Sequence, residues 1–151
     1  MAIYKVSLDD FEDDDFCIIA IYTPLDDHLI VYKLNIACRL NLARTKEDLV
    51  CSENERHAFF DYEDKKNARY YALLKNKTKV LRQKEPGELF HYNEVIYVIP
   101  EYKKADFLLK IEPKNDQLIA SIMTRLKQLD QITTARVIDQ GKIKNKSNLI
   151  F

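Results

Sequence analysis

Val95-Ile96-Tyr97-Val98-Ile99-Pro100-Glu101-Tyr102-Lys103-Lys104-Ala105-Asp106-Phe107-Leu108-Leu109-Lys110-Ile111 is the stretch on which the fold turns. Two β-type apolar runs, 95–99 and 107–111, meet across a polar corner that begins at Pro100. The first run is apolar at every position, which predicts an inner strand with both faces covered. Pro100 has no N–H to offer a ladder, so the strand is expected to stop there. Glu101 and Asp106 read as corner residues that pair with Lys103, Lys104 or free backbone N–H groups.

C-terminal to the corner, Leu118, Ile119, Ile122, Met123, Leu126 and Leu129 recur every three or four residues. This spacing predicts a helix from 116 to about 129, with Asn115 as its N-cap. A β-branched strand over 132–138 follows. The segment 140–151 reads as a tail or edge strand. It closes on Leu149-Ile150-Phe151, an apolar tip with no evident intramolecular site, which is expected to dock against a second subunit.

N-terminal to the corner, Lys84-Glu85-Pro86-Gly87-Glu88 marks a turn. A strand at 78–82 precedes it. The aromatic-rich runs 58–62 and 68–75 form a hairpin across 63–67. Residues 45–56 are polar and read as irregular, and 41–44 as a partly exposed strand. Phe16 to Tyr22 is a continuous apolar run and reads as a buried strand. Thr23, Pro24, Asp26 and Asp27 open a helix running to about Cys38, with Thr23 as N-cap and Leu29, Tyr32, Ile36 and Leu40 facing inward. Residues 9–15 form an acidic loop, and 2–8 a short strand. The order predicts a single α+β domain over 1–151. Its expected core is a largely antiparallel sheet of about five to seven strands, with two main helices on one face in a split β-α-β, ferredoxin-like arrangement.

Composition narrows the function classes. No apolar run reaches the roughly 18–20 residues of a membrane span. The N-terminus lacks the basic start and apolar core of a secretory signal, so the cytoplasm is the expected compartment. Cys17, Cys38 and Cys51 are odd in number and widely spaced, which fits small core residues rather than a disulfide framework or a Cys-x-x-Cys unit. With Gly87 and Gly141 as the only glycines, neither a Walker nor a Rossmann phosphate loop can be built. No Gly-x-Ser-x-Gly elbow is present. His28, His57 and His91 show no metal-ligand spacing, and the acidic run lacks the Gly and Glu offsets of an EF-hand. No cofactor or metal is expected.

Net charge is zero, yet unevenly placed. Residues 1–64 carry −9, whereas 65–84 carry eight bases and no acid. Within that stretch Lys65, Lys66, Arg69, Lys75, Lys77, Lys79 and Arg82 interleave with Tyr70 and Tyr71. Such interleaving suits phosphate contacts and base stacking, but also an ordinary charged hairpin or one facing the acidic N-terminal segment. Tyr70 and Tyr71 are neighbours on a strand, so only one of them can serve as a stacking platform. Three functions follow. The first is a non-enzymatic cytoplasmic interaction or regulatory module, homodimeric and with an unknown protein partner. The second is an RNA-binding protein using the 65–84 hairpin. The third is a hydrolase or transferase assembled from Glu101, Asp106 and a distant histidine.

Ile99-Pro100-Glu101, three residues, then Ala105-Asp106-Phe107 resembles the signature of the bacterial IPExxxVDY family. Four of the six fixed letters match; Ala105 stands for Val and Phe107 for Tyr. Residues 15–40, an acidic-apolar strand start followed by a helix, are also similar in pattern, and the resemblance extends over nearly the whole chain. It implies no activity, cofactor or catalytic residue.

Overall fold

In a computed structural model of the chain, residues 15–52, 55–83, 91–144 and 151 are described. The elements run β1 (Cys17–Tyr22), α1 (Asp27–Cys38), β2 (Ala43–Arg44), β3 (Leu49–Ser52), β4 (Glu55–His57), β5 (Phe59–Asp64), β6 (Arg69–Lys75), β7 (Lys77–Gln83), β8 (His91–Tyr97), β9 (Phe107–Glu112), α2 (Asp116–Lys127) and β10 (Thr134–Val137). Six strands form one antiparallel sheet in the order β10-β1-β9-β6-β5-β2. α2 joins β9 to β10 with β1 lying between them, a split β-α-β unit as the sequence predicts, whereas α1 leads from β1 to the edge strand β2, with β9, β6 and β5 between the two. The pairs β3–β4 and β7–β8 are separate two-stranded ribbons.

The sheet is apolar on both faces. In one row Leu73, Leu109 and Ile19 lie side by side; the next row, Leu74, Leu108 and Ala20, points the other way. The first row meets both helices, through Ile30, Val31, Leu34 and Cys38 of α1 and Ile119, Ile122 and Leu126 of α2. The second is covered by Phe16, Val98, Ile99, Ala105, Ile138 and Ile143. Each of these large aliphatic side chains contributes about 1.5–3 kcal/mol by leaving water. α2 starts where expected, the Asn115 side chain accepting a bond from the Leu118 N–H at 3.0 Å.

Five expectations are corrected. The inner strand of the anchor stretch is β9, not 95–99. Among the described residues β8 pairs only with β7, Val95 is 42% exposed, and burial begins at Val98 and Ile99 beyond the strand. The unbroken apolar run therefore records a passage from an exposed ribbon to a buried corner. In α1, Leu29, Tyr32 and Ile36 face outward at 40%, 61% and 62% exposure. The helix carries two overlapping apolar stripes, so periodicity does not choose between them, and the aliphatic stripe without a phenol is the one buried. Thr23 does not cap the helix. Asp26 occupies the N-cap position, while the Thr23 hydroxyl donates to the Gln131 carbonyl and accepts from the Leu25 N–H. Residues 45–56 hold β3 and most of β4, paired from Leu49 opposite His57; strands of four and three residues are too short to show the alternation by which strands are recognised.

The fifth correction concerns the tail. Residues 140–142 form a 3-10 turn, Ile143 is buried, and Phe151 meets the Phe59 ring edge-on at 6.3 Å. Lys110 Nζ donates to the Phe151 carbonyl at 3.0 Å. Phe151 thus has an intramolecular seat. The expected strand at 2–8, most of the acidic run and the turn at 84–88 lie outside the described residues.

Candidate polyanion-binding groove

The basic stretch is divided between the two ends of β6. At the β5–β6 turn, Lys65, Lys66 and Arg69 stand among carboxylates. The cleft there is lined by Asp15, Glu63, Asp64 and Glu112 against Lys65 and Arg69. Tyr70 lines the same cleft, its hydroxyl donating to Asp61 Oδ2 at 3.1 Å. Burial, followed by the Asp61 charge, raises the Tyr70 pKa well above that of a free phenol. Tyr71 is buried and stacked on Tyr62, with centroids 5.9 Å apart. One tyrosine is thus committed to a carboxylate and the other to the core, and neither stands ready beside a phosphate.

At the other end the cations converge. Lys75 closes β6, and Lys77 and Lys79 alternate on β7. Arg44 comes from β2 and Arg56 from β4. Together with Asp27, Ala58, Thr78, Val95 and Tyr97 they line a groove of about 740 Å³. Arg44 pairs with Asp27 at 3.5 Å and with Asp48, and its guanidinium lies 5.5 Å above the Phe60 ring. Lys77 pairs with Asp106 at 3.3 Å. Arg56, Lys75 and Lys79 form no ion pair among the described residues. Burial would raise the Asp27 pKa, but the His28 N–H and the charges of Lys75 and Arg44 outweigh it and hold the carboxyl below its ordinary value. The side chain of Arg82 lies outside the described residues.

Asn76 makes the groove. β6 and β7 are nearly continuous in sequence, and the chain leaves the main sheet at this one residue. Asn76 is fully buried. Its backbone N–H donates to the Asp106 carbonyl, and its own carbonyl accepts from the Val98 N–H. Its side-chain oxygen accepts from the Ile99 N–H at 3.0 Å, and its amide donates to the carbonyls of Tyr102 and Ala105 at 3.0 and 3.1 Å. Every hydrogen-bonding site of this buried amide but one lone pair is used, so the bend is rigid. Its two neighbours, Lys75 and Lys77, are thereby fixed at the groove.

The motif corner supports the same bend. Pro100 opens a 3-10 turn, Pro100–Tyr102, at a position needing no N–H. Asp106 Oδ2 accepts from the Thr23 N–H at 2.9 Å, joining the corner to the end of β1. Glu101 Oε1 accepts from the Lys144 N–H at 3.0 Å. Both carboxylates therefore bond to backbone, as expected, and Asp106 takes Lys77 rather than Lys103 or Lys104. Among the described residues neither meets a histidine: His57 is buried with its Nδ1 2.8 Å from the Lys75 carbonyl oxygen. Among the described residues, no three His, Cys, Asp or Glu side chains gather as a metal site. No helix among them is long and apolar enough to cross a membrane.

Arg44, Arg56 and Tyr97 escape a reading of the sequence because they come from three segments that only the fold brings together. The buried Lys110 is another such case. On β9, it pairs with Glu112 at 3.0 Å and lies 4.5 Å above the Phe16 ring. A lysine flanked by apolar residues reads as an exposed strand position, whereas here aromatic faces and a carboxylate receive its charge.

Fold and groove define a small α+β protein with a cationic cleft beside a bent ribbon. Comparison with protein-family models, with curated proteins and with solved structures finds no match.

Proposed function

We propose that the chain is a non-enzymatic interaction module that recognises an anionic partner through the cationic groove. The observation that carries this reading is the convergence of Arg44, Arg56, Lys75, Lys77 and Lys79, from four strands, on one groove whose only lining carboxylate among the described residues is Asp27. Opposite charge gathered in a cleft raises the local concentration of an anionic ligand and speeds its capture. Lys75 and Lys79 are exposed and make no ion pair among the described residues, so reversing them spares the packing. Titration with heparin, a sulfated polyanion, should give binding that weakens as salt rises. The Lys75→Glu, Lys79→Glu double variant should lose that binding with an unchanged circular dichroism spectrum. Equal binding by the variant refutes the reading.

A second reading, self-association, is favoured by the outward stripe of α1. Leu29, Tyr32 and Ile36 lie along one side of the helix, a surface that a solvated helix does not need. A second copy is the occupant that the helix ends favour. Asp26 precedes the first turn and Arg39 follows the last, and an antiparallel pair would set each opposite the other's counterpart with the helix dipoles opposed. We take the homodimer to form here and not at the tail. Sedimentation of Tyr32→Glu and Ile36→Glu should then show monomer where the unaltered protein is dimeric; a monomeric unaltered protein excludes the dimer.

Membership of the IPExxxVDY family and a cytoplasmic site belong to the same proposal. The first is supported by the motif letters at Ile99, Pro100, Glu101 and Asp106. The second is supported by Cys17 and Cys38, both buried as free thiols, with burial raising the pKa of each.

A further inference from the structure

We propose that the anionic partner is a single-stranded nucleic acid that runs through the groove and past it; this inference rests on reading the groove as an anion site. A second cleft of about 630 Å³, lined by Arg44, Thr45, Lys46, Glu47, Asp48 and Arg56, adjoins the first. The two share Arg44 and Arg56, so the cationic surface continues from Lys79 through Lys75 and Arg56 to Lys46. A compact anion needs only one cleft. A track of separate cations across two clefts matches a ligand whose charge repeats along its length. Arg44 is held by Asp27 and Asp48, and Lys77 is shared with Asp106. Lys46, Arg56, Lys75 and Lys79 are left for phosphates, with Glu47 an exposed acid in the second cleft.

The groove floor supplies what a strand of bases requires and an acidic peptide does not. In the β7–β8 ladder Tyr97 stands opposite Lys77, and Val95 opposite Lys79. One face of the ribbon therefore sets a phenol ring and an aliphatic patch beside two ammonium groups; Val95 is exposed, and Tyr97 is half-buried and lines the groove. Rings flanked by cations are how proteins hold single strands without reading their sequence, the base stacking while the backbone lies on the charges. Tyr97 thus takes the stacking role that neither Tyr70 nor Tyr71 can fill.

The test is a fluorescence-anisotropy titration of the full chain with fluorescein-labelled U12 RNA, and separately with a labelled twelve-residue glutamate peptide, across a range of salt. U12 is expected to bind, and unlabelled uridine monophosphate at equal phosphate concentration should fail to displace it. Tyr97→Ala should weaken U12 binding by about tenfold, with Tyr97→Phe close to the unaltered protein, as expected for stacking. Arg56→Glu, at the junction of the clefts, should weaken it and flatten the salt dependence by about one neutralised phosphate. Binding of the glutamate peptide but not U12, with loss in the Lys75→Glu, Lys79→Glu variant, overturns the nucleic-acid assignment and leaves the anion groove standing. An unchanged U12 affinity in Tyr97→Ala does the same. Binding of neither probe overturns both.

Discussion

Replacing Asn76 by Ala is expected to cost about 4 kcal/mol of stability. Truncation removes the acceptor of the Ile99 N–H and the donor to the Tyr102 and Ala105 carbonyls. Each polar group left unpaired in the interior costs about 1–3 kcal/mol, and Asn76 is fully buried, away from bulk water. For a domain of this size the loss corresponds to roughly 10–15 °C in the melting temperature. Asn67→Ala is the internal comparison. Asn67 bonds Asp64 in the exposed β5–β6 turn, and its loss should cost about 1 kcal/mol or less. Asn76→Asp should fare no better than Asn76→Ala, because it aims a buried charge at two carbonyl oxygens. Thermal and urea melts of the three variants decide the matter; an Asn76→Ala loss no greater than that of Asn67→Ala would remove Asn76 as the fastening of the bend. A loosened bend also displaces Lys75 and Lys77, so heparin binding should fall in Asn76→Ala even under conditions where it remains folded.

A still larger loss is expected at the next corner position. Ile99 is fully buried and packs with Leu74 and Leu108 on the sheet face opposite the helices. Ile99→Asp removes that aliphatic contact and buries a carboxylate in an apolar cluster, together costing about 5 kcal/mol or more. This is enough to unfold a domain of ordinary stability. Pro100→Ala is the contrasting case. Pro100 is exposed, and the turn it opens is also held by the Tyr102 N–H bond to the Ile99 carbonyl at 3.0 Å. The substitution gives up only the fixed proline dihedral, about 1 kcal/mol or less. A larger loss in Pro100→Ala than in Ile99→Asp would contradict the corner as described.

Where one residue pattern permits one arrangement, the sequence was legible. α2 has a single apolar stripe and a capping Asn115, so its extent and buried side follow from spacing. β1 is apolar throughout and β9 nearly so, broken only by Lys110 and the terminal Glu112, and both lie where the two faces of the sheet are covered. The connection through α2, followed by a strand, already implied a split β-α-β unit, whereas the sequence did not place the strand after α1 at the far edge of the sheet. α1 was legible as a helix but not in orientation, because Leu29, Tyr32 and Ile36 repeat as regularly as Ile30, Leu34 and Cys38. The run 95–99 was legible as extended chain but not as the end of an exposed ribbon.

The candidate site was only half legible. Lys75, Lys77 and Lys79 stood out as part of a basic stretch, yet that stretch also held Lys65, Lys66 and Arg69, which the length of β6 carries to the opposite, acidic end of the hairpin. Local chemistry by itself determined the helices, the buried strands and the corner, because periodicity, capping and the missing proline N–H act between residues near in sequence. The groove was decided by tertiary structure. Arg44, Arg56 and Tyr97 meet Lys75 only because β2 joins the sheet beyond β5 and the chain bends at Asn76. The energy that holds them there comes from buried apolar rows and backbone bonds elsewhere in the sheet, and not from any attraction among the cations themselves, which repel.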